Sequence, residues 1–326
     1  MFLAILKLIG GLFLLGFGAD WLVKGAVRFS GIFKISAMVV GLTVVAFGTS
    51  APELAVSLWS SWNGKADIAL GNIVGSNIFN LLVIIGVAGL ITPLAIKKHS
   101  LHREMPILLG SGLLVFVFAW SGNISTWEGA ILFIGLIAYI WLQIKQSKFE
   151  RLSEIEGEVK EIEGEVKFEK SFRFISICIA LILIGLGTLV AGSQLFVDGA
   201  VTLARYFGVS ELVIGLTLVS LGTSLPELAT STIAALRSQS EIAVGNVVGS
   251  NIFNFMCVGG ISALITPDGL QVSKSLTQFD LPFCLLTTTL VIIFFRTGYR
   301  LVQWEALILV MIYIFYILHL FGTNLI

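Results

Sequence analysis

The sequence predicts an all-α integral membrane protein with ten transmembrane helices, arranged as two inverted repeats of five helices. The composition, an internal duplication and the distribution of basic residues support this prediction. Of the 326 residues, 56% are hydrophobic and 12% are charged, whereas soluble domains carry about 25% charged residues. Apolar runs of about 20 residues, each long enough to span a bilayer as a helix, fill most of the chain. Regularly spaced alternating strands, which would indicate a barrel, do not occur.

Two sequence signatures occur twice, at a constant offset of 174 residues. Residues 41–55 read GLTVVAFGTSAPELA and 215–229 read GLTLVSLGTSLPELA; 71–80 read GNIVGSNIFN and 245–254 read GNVVGSNIFN. Two long matches at one offset identify a duplicated unit. Because each copy contains five predicted spans, an odd number, the second copy enters the membrane in the opposite direction.

The predicted organisation consists of two repeats and a polar segment between them. We predict spans over 3–28, 36–60, 67–92, 104–121, 126–145, 172–204, 211–236, 241–266, 279–296 and 302–322. Residues 1–145 form the first repeat and 172–326 the second. Residues 146–171 are a charged linker that contains EIEGEVK twice, and we interpret it as solvated.

The basic residues predict the orientation. Of the twenty Lys and Arg residues, four fall on one side of the predicted topology, and the other sixteen fall on the opposite side. The four are Lys7, Lys65, Arg205 and Lys274. Because loops rich in Lys and Arg stay in the cytoplasm, we expect a cell-membrane protein with both termini outside and the 146–171 linker inside.

Each repeat places one glutamate, Glu53 or Glu227, deep within an apolar span. An acidic side chain at the centre of a membrane helix costs about 2.5–3.5 kcal/mol on insertion scales, which makes it a functional candidate. Each glutamate follows a proline, Pro52 or Pro226, which removes a backbone donor and bends the helix near the preceding Gly-Thr-Ser. Backbone and hydroxyl oxygens freed there, together with two carboxylates, form an oxygen-only site suited to Ca²⁺ or Na⁺.

The second signature predicts another wall of this site. Asn72, Ser76 and Asn80 have i, i+4, i+8 spacing and share one helix face, and Asn246, Ser250 and Asn254 repeat the pattern. Such amides can also serve as hydrogen bonds between helices. Their constant offset with the two glutamates favours a role at the cation site.

Several classes of function are excluded or disfavoured. The net charge is zero and a basic cluster of the kind that nucleic acid requires is missing from the sequence. An inverted repeat is not the symmetry of a channel pore, and the motifs of an intramembrane enzyme are absent. We therefore expect no catalytic residue, no cofactor and no obligate protein partner, only ions and the lipid bilayer.

The GTSAPE and GTSLPE motifs, each followed by GSNIFN, resemble the two α-repeats of the cation/calcium antiporter superfamily, and most closely its prokaryotic sodium/calcium exchangers. The resemblance implies Ca²⁺ binding by the carboxylates of Glu53 and Glu227 with the backbone oxygens of Thr49 and Thr223. It implies Na⁺ sites formed by the two glutamates with a further set of oxygens, from Ala46, Ser50, Ser76, Ser220, Ser224 and Ser250. Asn80 and Asn254 would line the middle site.

The resemblance also implies a transport mode. It predicts electrogenic exchange of three Na⁺ for one Ca²⁺ by alternating access, with the first and sixth spans sliding past a fixed core. Some relatives, including potassium-dependent members, carry aspartate where Asn254 stands, so the neutral residue favours K⁺-independent exchange. The alternative is an H⁺/Ca²⁺ antiporter that uses the same glutamates as proton carriers; a cation channel is a further alternative of a different class.

Overall fold

The computed structural model describes residues 1–33, 35–158, 172–207 and 220–324. Within these ranges eight helices are long and apolar enough to cross a membrane, or nine if one bent pair counts as a single span. The predicted seventh span, 211–236, lies partly outside the described residues, which begin again at Ser220. The described chain is therefore a helical membrane bundle, as the composition predicts.

Long helices alternate with short strands in both halves of the chain. The first half contains α1 (Phe2–Phe33), α2 (Ala37–Thr49), α3 (Ala51–Trp62), α4 (Ala66–Ile91), β1 (Leu94–Ala95), α5 (Lys98–Ala119), β2 (Asn123–Ile124) and α6 (Thr126–Glu158). The second half contains α7 (Phe172–Tyr206), α8 (Ser220–Thr223), α9 (Leu225–Leu236), α10 (Ser240–Ile265), β3 (Leu270–Gln271), α11 (Leu276–Arg296), β4 (Arg300–Leu301) and α12 (Gln303–Asn324). Helix α6 continues to Glu158, although its stretch that is apolar enough to span a membrane, Thr126–Lys145, has the bounds of the predicted fifth span.

The bend that the prolines predict is present in both halves. Helices α2 and α3 meet at an angle of 48°, and Ser50 between them has φ −82° and ψ 7°, which is not helical. Ser224 separates α8 from α9 with nearly the same backbone angles, φ −89° and ψ 5°. In both places proline follows within the first turn of the next helix, where its missing N–H and fixed φ are tolerated.

Helices α4 and α10 form the centre of the bundle. In their most apolar stretches 78% and 83% of the residues are buried, against 28% in α1 and 22% in α7. Exposed tryptophans mark helix ends, as expected at the two membrane interfaces; they include Trp59, Trp62, Trp120, Trp127 and Trp304. The functional site must therefore be sought around α4 and α10.

Two short antiparallel strand pairs join the halves at their loops. Leu94 of β1 pairs with Leu301 of β4, and Asn123 of β2 pairs with Gln271 of β3. Each strand of the first half thus pairs with a strand of the second half. These pairings tie the loops around the central helices.

Helices α1 and α7 pack antiparallel through glycines at seven-residue spacing. The glycines are Gly11, Gly18 and Gly25 on α1 and Gly185, Gly192 and Gly199 on α7, which match one another at the 174-residue offset. A methyl group added at Gly18 would lie 2.8 Å from the backbone nitrogen of Leu189, and one at Gly185 would lie 2.7 Å from that of Leu22. The absence of side chains allows the two backbones to touch along their length.

Ion pairs connect α1 to two different neighbours. Asp20 of α1 binds Lys24 at 2.6 Å in its own helix and also binds Arg237, which follows the last residue of α9. Lys7 of α1 lies 3.5 Å from Asp198 of α7. The Asp20–Arg237 contact links α1 to the bent helices, whereas the Lys7–Asp198 contact lies within the α1–α7 pair.

Candidate cation-binding site

The two bends lie against each other at the centre of the bundle and place both glutamates there. Glu53 in the first turn of α3 and Glu227 in the first turn of α9 are fully buried. The Ser50 hydroxyl donates a 2.9 Å hydrogen bond to Oε1 of Glu227, and the Ser224 hydroxyl donates one of the same length to Oε1 of Glu53. Each carboxylate is therefore held by the serine of the other signature.

The asparagines Asn72 and Asn246 brace the bent helices. The Asn72 amide donates to the backbone oxygen of Glu53 at 3.2 Å and to the Ser57 hydroxyl at 2.9 Å. Asn246 does the same in the other half, to the backbone oxygen of Glu227 at 3.3 Å and to Ser231 at 3.0 Å. The nitrogen atoms of both amides are thus engaged with α3 and α9, which fixes the start of each helix.

The threonines of the signatures form hydrogen bonds between the two halves. Thr49 donates to Oδ1 of Asn246 at 3.1 Å, and Thr223 donates to Oδ1 of Asn72 at 3.4 Å. The backbone oxygens of these threonines belong to the last residues of α2 and α8, immediately before each bend. Their side chains are committed to holding the two halves together.

Several buried side-chain oxygens of α3, α4, α9 and α10 have no hydrogen-bond partner among the residues that the structure describes. They include Oε2 of Glu53, Oε2 of Glu227, Oδ1 of Asn80, Oδ1 of Asn254 and Oγ of Ser250. All five residues have no solvent exposure. Buried polar atoms are satisfied in the large majority of cases. Four of these five are carboxylate or amide oxygens, which can only accept, and such oxygens are ligands that Ca²⁺ and other hard cations prefer.

The remaining predicted ligands have different surroundings. Ser76 Oγ lies 3.2 Å from Ser224 Oγ, so it is at the site. The Ala46 carbonyl accepts from the backbone of Ser50 at 3.0 Å and from the Thr49 hydroxyl at 3.3 Å. Ser220 is the first residue of α8, and its side chain lies outside the described residues.

The backbone carbonyl of Gly222, which Pro226 leaves without its helical donor, accepts a hydrogen bond from another helix. Ser193 of α7 donates to the backbone oxygen of Gly222 at 2.5 Å. Gly222 lies four residues before Pro226, where the sequence predicts a freed acceptor. The bend is therefore in direct contact with α7.

Sequence reasoning missed Asn77 and Asn251, which lie beside the site in the GSNIFN motif. The Asn80 amide donates to Oδ1 of Asn251 at 2.9 Å, and the Asn254 amide donates to Oδ1 of Asn77 at 3.1 Å. Their presence in both copies of the motif is a signal that could have identified them. They fall outside the i, i+4, i+8 stripe, so helical spacing alone does not select them.

Two carboxyl groups away from the centre, one buried and one half-buried, were also missed. Tyr139 of α6 donates to Glu104 of α5 at 2.8 Å, and Tyr316 of α12 donates to Asp280 of α11 at 2.9 Å. The tyrosines are 177 residues apart and the acids 176. These contacts tie neighbouring helices within each half and do not reach the central oxygens.

An apolar cavity of about 580 Å³ lies between α2, α6, α7 and α10. Its lining includes Leu42, Phe47, Leu136, Leu186 and Phe253, and neither glutamate contributes to it. Because hydrocarbon walls do not replace the hydration shell of a cation, this cavity is a poorer candidate for a cation site than the central oxygens.

Comparisons with known proteins agree with this geometry. The sequence profile of the family described as "Sodium/calcium exchanger protein" matches residues 3–145 and 177–322. The inner membrane protein YrbG of Escherichia coli is 39% identical over 274 residues, which cover 82% of this chain and 81% of YrbG. The sodium/calcium exchanger MaX1 of Methanosarcina acetivorans is 33% identical, over 97% of this chain and 98% of MaX1.

Solved structures of the sodium-calcium exchanger NCX_Mj share the fold. The structure soaked with zero Na⁺ and Ca²⁺ superposes with a TM-score of 0.84 at 29% identity, over 98% of this chain and 99% of that chain. The structure soaked with 10 mM Na⁺ and 10 mM Sr²⁺ superposes with a TM-score of 0.82 at 29% identity, over 97% and 98%. Since the family profile covers both halves and the likeness extends over nearly the whole length, the chain belongs to the sodium/calcium exchanger family.

Proposed function

We propose that this protein exchanges Na⁺ for Ca²⁺ across the cell membrane by alternating access, without K⁺. The observation that carries the proposal is the pair of buried carboxylates at the meeting point of two bent helices, each with one oxygen that accepts no hydrogen bond from the described residues. Carboxylates at this depth indicate a functional site. Family membership supports the identity of the two ions.

The central Ca²⁺ would be bound by Glu53 and Glu227, with the backbone oxygens of Thr49 and Thr223. One Ca²⁺ balances both negative charges, which relieves the repulsion between two neighbouring carboxylates. The free Oε2 atoms of both glutamates support this assignment.

The Na⁺ ions would use the same two glutamates with neighbouring neutral oxygens. These are the backbone oxygens of Ala46 and Ser220 and the hydroxyls of Ser50, Ser76, Ser224 and Ser250, while Asn80 and Asn254 line the middle site. The Thr49 hydroxyl lies near both the Ala46 carbonyl and Oδ1 of Asn246 and has one proton to donate, so it can keep its bond to Asn246 while the Ala46 carbonyl binds a cation.

Sharing of the glutamates would couple the two ions. Because Na⁺ and Ca²⁺ need the same oxygens, they cannot occupy the site together, and each must leave before the other binds. Exchange of three Na⁺ for one Ca²⁺ moves one charge per cycle, so that the membrane potential contributes about 2.3 kcal/mol per 100 mV. Ca²⁺ would leave the cell as Na⁺ enters.

The transport cycle requires two faces, which an inverted repeat provides. We propose ten spans, with residues 1–145 and 172–326 as repeats of opposite orientation, both termini outside and the 146–171 linker in the cytoplasm. Reciprocal contacts such as Ser50 to Glu227 and Ser224 to Glu53 support the two-fold relation. The α1–α7 pair, which is far less buried than the central helices, would slide along the core of α2–α4 and α8–α10.

Proton coupling is the competing proposal, since the same carboxylates could carry protons. Hydroxyls at 2.9 Å from both glutamates favour Na⁺ coordination, and family membership favours it too. The deciding experiment is ⁴⁵Ca²⁺ uptake into proteoliposomes loaded with Na⁺, with K⁺-loaded and proton-gradient controls. Uptake that depends on internal Na⁺ supports the proposal. Uptake driven equally well by a proton gradient alone overturns it.

A further inference from the structure

Four asparagines form a closed hydrogen-bond network between α4 and α10. Besides the two bonds from Asn80 and Asn254, the Asn77 amide donates to the backbone oxygen of Asn251 at 3.3 Å. The Asn251 amide returns a bond of 3.2 Å to the backbone oxygen of Asn77. All four side chains have no solvent exposure, so bulk solvent does not reach them. Their amide nitrogens therefore depend on acceptors within the network.

The backbone oxygens determine which way every amide in this network points. A backbone carbonyl can only accept, so the side-chain nitrogens of Asn77 and Asn251 must face it. Their Oδ1 atoms then face the other way and can only accept the amide nitrogens of Asn254 and Asn80. Those two residues are left with their own Oδ1 atoms free, and both are among the oxygens without donors.

These asparagines lie where α4 and α10 change from α-helical to π-helical geometry. Residues Asn80–Ile84 and Asn254–Val258 form π-helical turns, which occur often at functional sites. Asn77 and Asn251 lie in the last α-helical turn before each of them. The network thus connects the two positions at which α4 and α10 change geometry.

We propose that Asn77 and Asn251 are positioning residues that hold the amides of Asn254 and Asn80, respectively, with their oxygens towards the cation. The inference rests on the proposed function, because it assigns these residues to the middle of that cation site. Neither residue binds an ion itself. Each removes the alternative orientation in which its partner would present an N–H donor to a positive charge.

Loss of this control has a defined physical effect. Without Oδ1 of Asn77, the Asn254 amide nitrogen is a buried donor with no acceptor, which is costly. Rotation of the amide by half a turn lets it seek other acceptors and exposes the nitrogen to the cation. We expect the half-saturating Na⁺ concentration to rise about tenfold, the effect of one lost hydrogen bond, with a smaller change in the maximal rate.

The test is a pair of double-mutant cycles on Na⁺-dependent Ca²⁺ uptake in proteoliposomes. Asn77→Ala should raise the half-saturating Na⁺ concentration in the wild-type background and also in Asn80→Ala. It should add little in Asn254→Ala, where no amide remains to turn. In the other half, Asn251→Ala should be silent in Asn80→Ala and effective in Asn254→Ala.

A purely structural role predicts a different pattern. Asn77→Ala would then act equally in both backgrounds, and this result would overturn the inference. Ser111→Ala serves as the matched control, since Ser111 is buried and donates to Leu108 of its own helix at 2.7 Å. It should leave the Na⁺ dependence unchanged.

The two asparagines give independent readings, so failure of one variant to fold leaves the other cycle in place. Thermal unfolding of each purified variant identifies such a failure. Wild-type uptake that does not need internal Na⁺ would instead remove the proposed function. Wild-type exchange together with equal effects in both backgrounds removes only the role of Asn77 and Asn251.

Discussion

Ser50 and Glu227 lie 177 residues apart in the chain and are joined by a 2.9 Å hydrogen bond at the centre of the membrane bundle. The reverse contact, from Ser224 to Glu53, has the same length. Neither carboxylate is therefore supported only by its own repeat. The oxygens at the proposed cation site come from both halves, so a change in either half should affect the whole site.

Replacement of either glutamate by glutamine, Glu53→Gln or Glu227→Gln, should abolish Ca²⁺ transport. The substitution keeps the size of the side chain, but removes one of the two negative charges that balance the divalent cation. We expect ⁴⁵Ca²⁺ uptake to fall at least ~100-fold, as for loss of a buried charged ligand worth about 3 kcal/mol or more. Full exchange by either variant would contradict the assignment of the site.

Glu128→Gln is the matched control for those variants. Glu128 accepts from the backbone nitrogen of Ser125 at 2.8 Å at the start of α6, and a glutamine oxygen can accept the same bond. Uptake should remain close to wild type, which would show that loss of a carboxylate does not by itself impair uptake.

Replacement of the crossing serines, Ser50→Ala or Ser224→Ala, should weaken Na⁺ binding more than Ca²⁺ binding. Each hydroxyl is a proposed Na⁺ ligand and also orients a carboxylate, whereas the proposed Ca²⁺ ligands are the carboxylates and backbone oxygens. We expect the half-saturating Na⁺ concentration to rise about tenfold. Equilibrium binding of ⁴⁵Ca²⁺ at increasing Na⁺ would measure this. Equal losses for both ions would show that the hydroxyls only support the fold.

Asn254→Asp should make exchange depend on pH. Nδ2 of Asn254 lies 3.1 Å from Oδ1 of Asn77, which is an acceptor. An ionised aspartate would place a negative oxygen against it, so the new side chain is best satisfied when it carries a proton there. Exchange by the variant should change with external pH between about 5 and 8, while the wild type changes less. The measurement is ⁴⁵Ca²⁺ uptake across that range, with Na⁺ and K⁺ dependence at each pH.

Identical pH profiles and identical dependence on Na⁺, Ca²⁺ and K⁺ in the wild type and Asn254→Asp would contradict this prediction. That outcome would also remove the argument that the neutral residue favours K⁺-independent exchange.

Asp20→Asn should favour opening towards the inner face. The pair of Asp20 with Arg237 ties α1 to the end of α9 on the side that we assign to the cytoplasm. An exposed pair of this kind contributes about 0.5–1 kcal/mol, which corresponds to roughly a two- to fivefold shift between the two states. The ratio of half-saturating Ca²⁺ concentrations at the inner and outer faces should change by that factor.

Asp198→Asn is the control, because the contact of Asp198 with Lys7 lies within the α1–α7 pair. It should leave the ratio unchanged. If both variants shift the ratio alike, the effect comes from altered charge at the surface and not from a link between α1 and α9.

The sequence was sufficient to predict the bundle, both bends and the central pair of glutamates, because each leaves a local mark. Hydrophobic runs indicate spans, Pro52 and Pro226 indicate bends, and a duplicated carboxylate in an apolar run indicates a site. The membrane environment strengthens all three signals, since it tolerates few exceptions.

Other features depend on contacts between helices, which spacing along one helix does not reveal. Asn72 shares a helix face with Asn80, yet its amide nitrogen braces Glu53 and Ser57. Asn77 lies off that face and is nevertheless bound to Asn254. The helix of α6 extends to Glu158, beyond the predicted span, because that prediction concerned only the apolar stretch that ends at 145.

The six glycines between α1 and α7 restrict how a transport step can take place. Their backbones are in close contact at four levels, and a shift of one helix along the other by a single residue would bring side chains that neighbour the glycines against facing backbone, where a Cβ has no room. The two helices must then move together as one rigid unit. Closing of access at one face and its opening at the other would thereby be outcomes of one movement, so the proposed gate would not open at both faces through independent motions of α1 and α7.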